Sequence, residues 1–236
     1  MTELLFRDDP YAKSCEATIT AINERGGIEL DRTVFYPTGG GQPGDTGTLR
    51  LADGGEITIA TTIKGEGADD VIHVPAEGQE LPGPGAAVTA SIDWPTRHRL
   101  MRIHTCLHLL SSVVEYPVTG GQISDGRGRL DFDMPEMTVE KDAITARLNE
   151  LIREGHPVHV DWISDEALAA QPDLVKTMSV KPPMGQGRVR LIDVDGCDLQ
   201  PCGGTHVANT SEIGEVRVRK IEKKGRQNRR ISIEFV

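Results

Sequence analysis

At 236 residues, with 37% hydrophobic but only 4% aromatic content, the chain has material for one large or two ordinary domains around aliphatic cores. A net charge of −10 excludes a protein that coats nucleic acid with its whole surface. No stretch approaches the roughly 18 uninterrupted apolar residues of a membrane span, and the charged opening residues Glu3, Arg7, Asp8 and Asp9 are not those of a secretory signal or an anchor. Four irregularly spaced cysteines, Cys15, Cys106, Cys197 and Cys202, fit thiols in a reducing cytoplasm better than a disulfide framework.

From Cys15 to Ile92 the apolar residues recur with period two. Cys15, Ala17, Ile19 and Ala21 alternate with polar partners, and Ile28, Leu30 and Val34 resume the rhythm after Gly26-Gly27. Further short runs surround Leu49, Ile57 to Ile63, Val71 to Val74, and Val88 to Ile92. Several short strands split by Gly, Asp and Pro read as a small antiparallel β barrel or sandwich; we take residues 1–92 as a barrel, with Pro82-Gly-Pro-Gly85 as a turn inside it. Within this region lies Tyr36-Pro-Thr-Gly-Gly-Gly-Gln-Pro-Gly-Asp-Thr-Gly47, which lacks the Gly-Lys-Ser/Thr ending of a P-loop. It reads either as a flexible hairpin or, given Thr38 and Gln42 beside Gly40 and Gly41, as a loop facing a ligand.

After Asp93 the period becomes helical. Leu100, Ile103, Leu107, Leu110 and Val114 predict an amphipathic helix, with Arg97, Arg99 and Arg102 either solvated or meeting phosphates. Strands follow around Gln122 and Arg129 to Asp133, joined through Asp125-Gly126. A helix is predicted over about 138–154, ended by Gly155. Val158, Val160 and Trp162 alternate as a strand, Ser164 caps a short helix, and Arg188 to Val194 forms another strand. A closing hairpin, Ile213 to Ile221 with Arg229 to Phe235, holds most of a basic run from Arg217 to Arg230 in its turn. Glu222 is the only acid in that run, which reads as a solvated face or as a phosphate-binding patch. Residues 93–236 are thus predicted to form a second domain of α+β class.

Two motifs nearly a hundred residues apart carry the chemistry: His104-Thr-Cys-Leu-His108 and Cys202-Gly-Gly-Thr-His206. On a helix, residues four apart lie about 40° from one another and one turn up, so both imidazoles of the first motif project the same way. Cys106 points away from that face and reads as a core residue. In the second motif a thiol and an imidazole bracket a Gly-Gly turn. Three nitrogens and a sulfur suit zinc better than calcium or magnesium. Thr105 stands where a metalloprotease of this pattern has glutamate, which argues against peptide hydrolysis. A structural zinc and a Lewis-acid site both remain open, although four protein ligands fill a tetrahedron where catalysis prefers three.

The two motifs, with Gly39-Gly-Gly-Gln-Pro-Gly-Asp45, Ile92-Asp-Trp94 and Lys224-Gly-Arg-Gln-Asn-Arg-Arg-Ile231, resemble the editing domain of alanyl-tRNA synthetase and the free-standing AlaX family, in its medium form with an N-terminal barrel. That resemblance implies a trans-editing deacylase that hydrolyses the ester of serine, with glycine as a second candidate, on the acceptor end of tRNA(Ala). It implies one zinc ion per chain on His104, His108, Cys202 and His206, and a zinc-bound water as the attacking group. Thr38, Gly40, Gly41 and Gln42 become candidates for substrate contact, and Lys223, Lys224, Arg226 and Arg229 for tRNA contact. No side-chain base is assigned: Asp133 and Asp195 are available, and a substrate-assisted route stands beside them. The alternative is a non-catalytic RNA-binding module with a structural zinc.

Overall fold

The computed structural model describes residues 2–67, 69–136, 139–178 and 187–236. Contacts divide the chain into two units, Met1–His98 and Arg99–Val236.

The first unit contains β1 (Glu3–Leu4), β2 (Ser14–Ile22), β3 (Ile28–Leu30), β4 (Arg32–Thr33), β5 (Gly47–Leu51), β6 (Glu56–Lys64), β7 (Val71–Pro75) and β8 (Ala87–Ile92). Six of these close into a barrel in the order β2-β3-β7-β6-β5-β8, and β1 pairs in parallel with β4. Closure removes the exposed strand edges that an open sheet of this size would present. The interior is the inward half of each alternating strand, with Ile19, Ile28, Leu30, Leu49, Ile57 and Ile59 essentially without solvent contact. Pro82 to Gly85 is a turn leading into β8, and Gly85 donates its N–H back to Ile19.

Helix α1 (Trp94–Val113) follows, its first residues within the first unit and the rest within the second. Leu100, Ile103, Leu107 and Leu110 are buried with Cys106 beside them, but so are Met101 and Leu109 on the opposite side. The helix is therefore buried around its circumference, where the spacing predicts an amphipathic one. Its three arginines also depart from expectation. Arg97 is fully buried in the first unit, Arg99 pairs with Asp125, and Arg102 donates to the carbonyl of Ile213 at 2.6 and 2.9 Å.

The second unit continues with β9 (Val118–Ser124), β10 (Arg127–Asp133), α2 (Lys141–Glu154), β11 (Val158–Ser164), α3 (Asp165–Ala169), β12 (Arg188–Val194), β13 (Asp198–Pro201), β14 (Val216–Lys224) and β15 (Asn228–Phe235). Its strands form two antiparallel sheets, β14-β15-β10-β9 and β11-β12-β13. The sheet beside α1 packs closely because β10 carries Gly128, where a Cβ would lie 2.7 Å from Ile103 of α1. Edge strand β14 is covered by α2: Asn149 bonds both the N–H and the carbonyl of Val216, and Thr145 accepts from Val218. Helix α2 ends at Gly155 with φ of 74°. Its expected start near Thr138 lies outside the described residues, and the helix itself begins at Lys141.

The first strand of the closing hairpin is shifted toward the turn relative to its sequence pattern, and the turn is tighter. Ile213 ends a 3-10 turn rather than starting the strand, and β14 runs on to Lys224. Most of the basic run therefore lies along a strand and its partner, with only Arg226 in the turn between them.

Candidate metal centre

The donor residues are presented by two local periodicities that meet. On α1, His104, His108 and Ser111 occupy one face at spacings of four and three. On β13, Asp198 and Gln200 alternate to the same side, and Cys202 follows at the same parity just past the strand end. Their ligand atoms come together: one atom from each of His104, His108, Cys202 and His206 lies within 4.8 Å of every other. The three histidines are buried and Cys202 is half-buried.

Two separations inside this group, which spans up to 4.8 Å, match the edges of a coordination shell. A tetrahedral ion with bonds of about 2.0–2.3 Å separates its ligand atoms by roughly 3.3–3.8 Å. Cys202 Sγ lies 3.5 Å from His104 Nε2 and 3.3 Å from His206 Nε2. Both fall in or near the range of ligand–ligand edges. The group fits one metal ion.

Surrounding groups fix which ring nitrogen faces inward. Asp198 Oδ2 accepts from His108 Nδ1 at 2.8 Å, so Nε2 of His108 is turned to the cluster. Asp198 is held in turn by Lys176 Nζ at 2.5 Å and Gln200 Nε2 at 2.8 Å, and Gln200 also reaches Ser111. Thr105 Oγ1 donates to the Met101 carbonyl and accepts from the Val207 N–H, which leaves it as the acceptor for His206 Nδ1 at 3.2 Å. Arg190 donates to the carbonyls of Cys202 and Gly204 at 3.0 and 2.8 Å and pins the turn between the two ligands.

Cys202 and His206 are held in the forms that bind a cation, whereas His108 is held toward its protonated form. Burial opposes ionisation of Cys202, but the imidazoles of His104 and His206 outweigh it and hold the thiol well below its usual range. Burial, with His104 and His108 alongside, holds the His206 imidazole well below its ordinary value and so neutral. Burial also opposes protonation of His108, yet Asp198 and Cys202 push it up to about 9. Asp198 is likewise disfavoured as an anion by burial, but His108 and Lys176 hold it below the usual carboxylate range. Cys106, fully buried with its thiol pushed up to about 12 by burial, stays outside the donor group.

The glycine loop lies in the first unit. Gly39 and Gln42 exchange backbone hydrogen bonds across Gly40 and Gly41, whose φ of 56° and 83° make a two-residue hairpin turn of the kind that demands glycine. Thr38 is exposed, with its hydroxyl donating to the Thr62 carbonyl and accepting from Gly44 N–H, whereas Gln42 is 1% exposed. Gly44 is required by packing, since a Cβ there would lie 1.9 Å from the Thr62 carbonyl oxygen. The loop is anchored by Asp45, which accepts from the Tyr36 N–H and from the buried guanidinium of Arg97. That guanidinium also donates to the carbonyls of Pro10 and Val34.

Of the basic candidates, Lys223, Lys224 and Arg226 are exposed. Arg229 is not: it is 5% exposed and donates to the carbonyls of Asn228 and Pro135. Alternation explains the difference, because residues 229, 231 and 233 form the inward face of β15. Asp133 and Asp195, the carboxylates available in the sequence, lie outside the donor group; among the described residues Asp198 is the carboxylate hydrogen-bonded to it. Its signal was the alternation Asp198-Leu-Gln200-Pro-Cys202 leading into the ligand.

Two family descriptions match the chain: "Threonyl and Alanyl tRNA synthetase second additional domain" over residues 189–232, and "tRNA synthetases class II (A)" over residues 9–96. The Alanyl-tRNA editing protein AlaX-M of Methanosarcina acetivorans is 36% identical over 98% of both chains. The chain belongs to the AlaX-M family. The AlaX-M protein of Saccharolobus solfataricus is 33% identical, again over 98% of both chains. An alanine–tRNA ligase from Pyrobaculum aerophilum is also 33% identical over 94% of this chain, which corresponds to 25% of that enzyme. The AlaX-M match therefore spans both the glycine loop and all four donor residues. Among the described residues no helix is long and apolar enough to cross a membrane.

Proposed function

We propose that this chain is a cytoplasmic trans-editing deacylase that hydrolyses the ester of seryl-tRNA(Ala), with glycyl-tRNA(Ala) as a second substrate, using one zinc ion. The observation that carries the reading is the buried three-histidine, one-cysteine group in a chain of the alanyl-tRNA editing family. Three imidazole nitrogens and one thiolate favour zinc over oxygen-preferring cations. The need for such an enzyme follows from recognition physics: an apolar pocket shaped for alanine rejects an added hydroxyl or a missing methyl only weakly.

In this reading His104, His108, Cys202 and His206 hold the ion, which when bound supplies Lewis acidity toward the ester and its attacking water. Asp198 and Thr105 set the tautomers of His108 and His206, and Arg190 shapes the turn that carries Cys202. Asp198 is engaged by three partners and acts by positioning. Thr38, Gly40, Gly41 and Gln42 are proposed on the substrate side. Lys223, Lys224 and Arg226 are proposed to meet tRNA, while Arg229 anchors the hairpin from within.

The test is deacylation of seryl-, glycyl- and alanyl-tRNA(Ala) by the purified zinc-loaded protein. Seryl-tRNA is expected to be cleaved and alanyl-tRNA largely spared. Equal cleavage of all three, or of none, removes the proposal. His104→Ala is expected to keep its circular dichroism spectrum and lose hydrolysis; an unfolded variant would instead favour an RNA-binding module with a structural metal.

A further inference from the structure

The solvent side of the sheet β14-β15-β10-β9 carries charge arranged in rows. Register places Lys220, Ser232, Arg129 and Gln122 opposite one another across all four strands. One neighbouring row sets Arg217, Glu234 and Arg127 together, and the other sets Glu222, Arg230 and Asp131. The central row is thus cationic and polar without a carboxylate. With strands about 4.8 Å apart it extends roughly 14 Å.

Over these rows lies an open depression of about 250 Å³. Five cations line it, Arg127, Arg129, Arg219, Lys220 and Arg230, against one carboxylate, Glu222. Asp131 and Glu234 touch these cations from beside the depression, so five positive groups still face three acids on a chain of net charge −10. The acids orient the cations. Asp131 takes Arg230 Nε and NH2 at 2.7 and 2.8 Å and Arg129 NH1 at 2.8 Å, fixing both guanidinium planes before any ligand arrives.

We propose that this sheet face, rather than the hairpin tip alone, grips the phosphate backbone of the tRNA substrate. The inference rests on the reading that the chain acts on an aminoacyl-tRNA. A row about 14 Å long is too extended for one small anion and suits successive phosphates of a strand. None of the described lining residues is aromatic, so the surface offers no platform for stacking bases. Gln122, Ser124 and Ser232 add neutral hydrogen-bonding groups suited to phosphate and ribose oxygens. The contact is therefore with backbone and independent of sequence.

The experiment measures binding of uncharged tRNA by fluorescence anisotropy as a function of salt, which does not depend on any deacylation. The variant R127Q/R219Q/K220Q removes three cations whose side chains are 62%, 49% and 48% exposed, so folding should be untouched. Affinity is expected to fall about tenfold or more at 0.15 M salt, and the slope of log affinity against log salt to shrink by roughly two to three. K223Q/R226Q at the hairpin tip should have the smaller effect. Unchanged affinity and slope in the triple variant overturn the proposal, as does a larger loss in the tip variant. Wild-type protein that binds anionic phospholipid vesicles as tightly as tRNA also overturns it, in favour of a lipid surface. Hydrolysis of seryl-tRNA is read separately; its absence in the wild type would sink the enzymatic reading while leaving the binding result to stand or fall alone.

Discussion

Asp198 and Thr105 do for His108 and His206 what sequence motifs do not advertise: each fixes the tautomer that presents Nε2 to the cluster. Loss of such an outer partner typically weakens metal affinity by about 10–100-fold. Asp198→Ala is therefore expected to bind zinc within that range more weakly than the wild type, measured by competition with a chromophoric chelator. Asp198→Asn, which keeps an acceptor for the His108 N–H, should recover much of the loss. An alanine variant with wild-type affinity would show that Asp198 merely fills space beneath Lys176 and Gln200. Thr105 adds a point about the motif itself. The position that glutamate takes in a peptidase is here 0% exposed and used up in three hydrogen bonds, so it has no part in proton transfer.

At the scale of elements, the glycine loop shows how a flexible-looking stretch is held. Asp45, in the loop, and Arg97, at the start of α1, form a fully buried pair whose guanidinium also satisfies two backbone carbonyls. Removing one partner strands the other without water, at a cost of roughly 3–5 kcal/mol. Arg97→Ala should lower the unfolding free energy by about that amount in urea titration, and Arg97→Lys should fail to restore it, because one ammonium cannot reproduce the planar fork. A loss below about 1 kcal/mol would mean that water reaches Asp45. Barrel strands, α1 and the two ligand motifs were legible in the sequence because each follows a short-range period or spacing. What was hidden depends on long-range register. In sequence Arg97 is indistinguishable from its neighbours Arg99 and Arg102 until Asp45 is brought against it across about fifty positions of chain. The basic run likewise contains one acid in sequence, yet pairing of β14 with β15, and of β15 with β10, brings Glu234 and Asp131 to it. Asp198 is harder to see, because the alternation that leads from it to Cys202 runs along a strand of only four residues.

For the molecule as a whole, the two units should answer to different chemical stimuli, and each contains one tryptophan: Trp94 in the first and Trp162 in the second. His73 lies within the first unit, fully buried, with Nδ1 on the Ile28 carbonyl and Nε2 on the Thr33 hydroxyl at 3.0 and 2.8 Å. Burial pushes its pKa down from 6.5 to about 4, the Ile28 carbonyl opposing the shift only in part. The unfolded chain therefore binds a proton that the folded barrel refuses between those two values. Stability is intact above pH 6.5 and falls as pH drops through that window, by about 1.4 kcal/mol per unit and roughly 3 kcal/mol in total. The metal group lies in the second unit, where its ligands span α1 and the turn after β13, so removing the ion should loosen that unit. With Trp162→Phe the remaining Trp94 should report a thermal transition that shifts downward from pH 7 to pH 5 and is indifferent to a chelator at pH 7. With Trp94→Phe the remaining Trp162 should report one that the chelator lowers. Coincident shifts of both probes under either treatment would show that the two units unfold as one cooperative body. A His73→Gln substitution, if it leaves the Trp94 transition equally acid-sensitive, would move the origin of that sensitivity to another group.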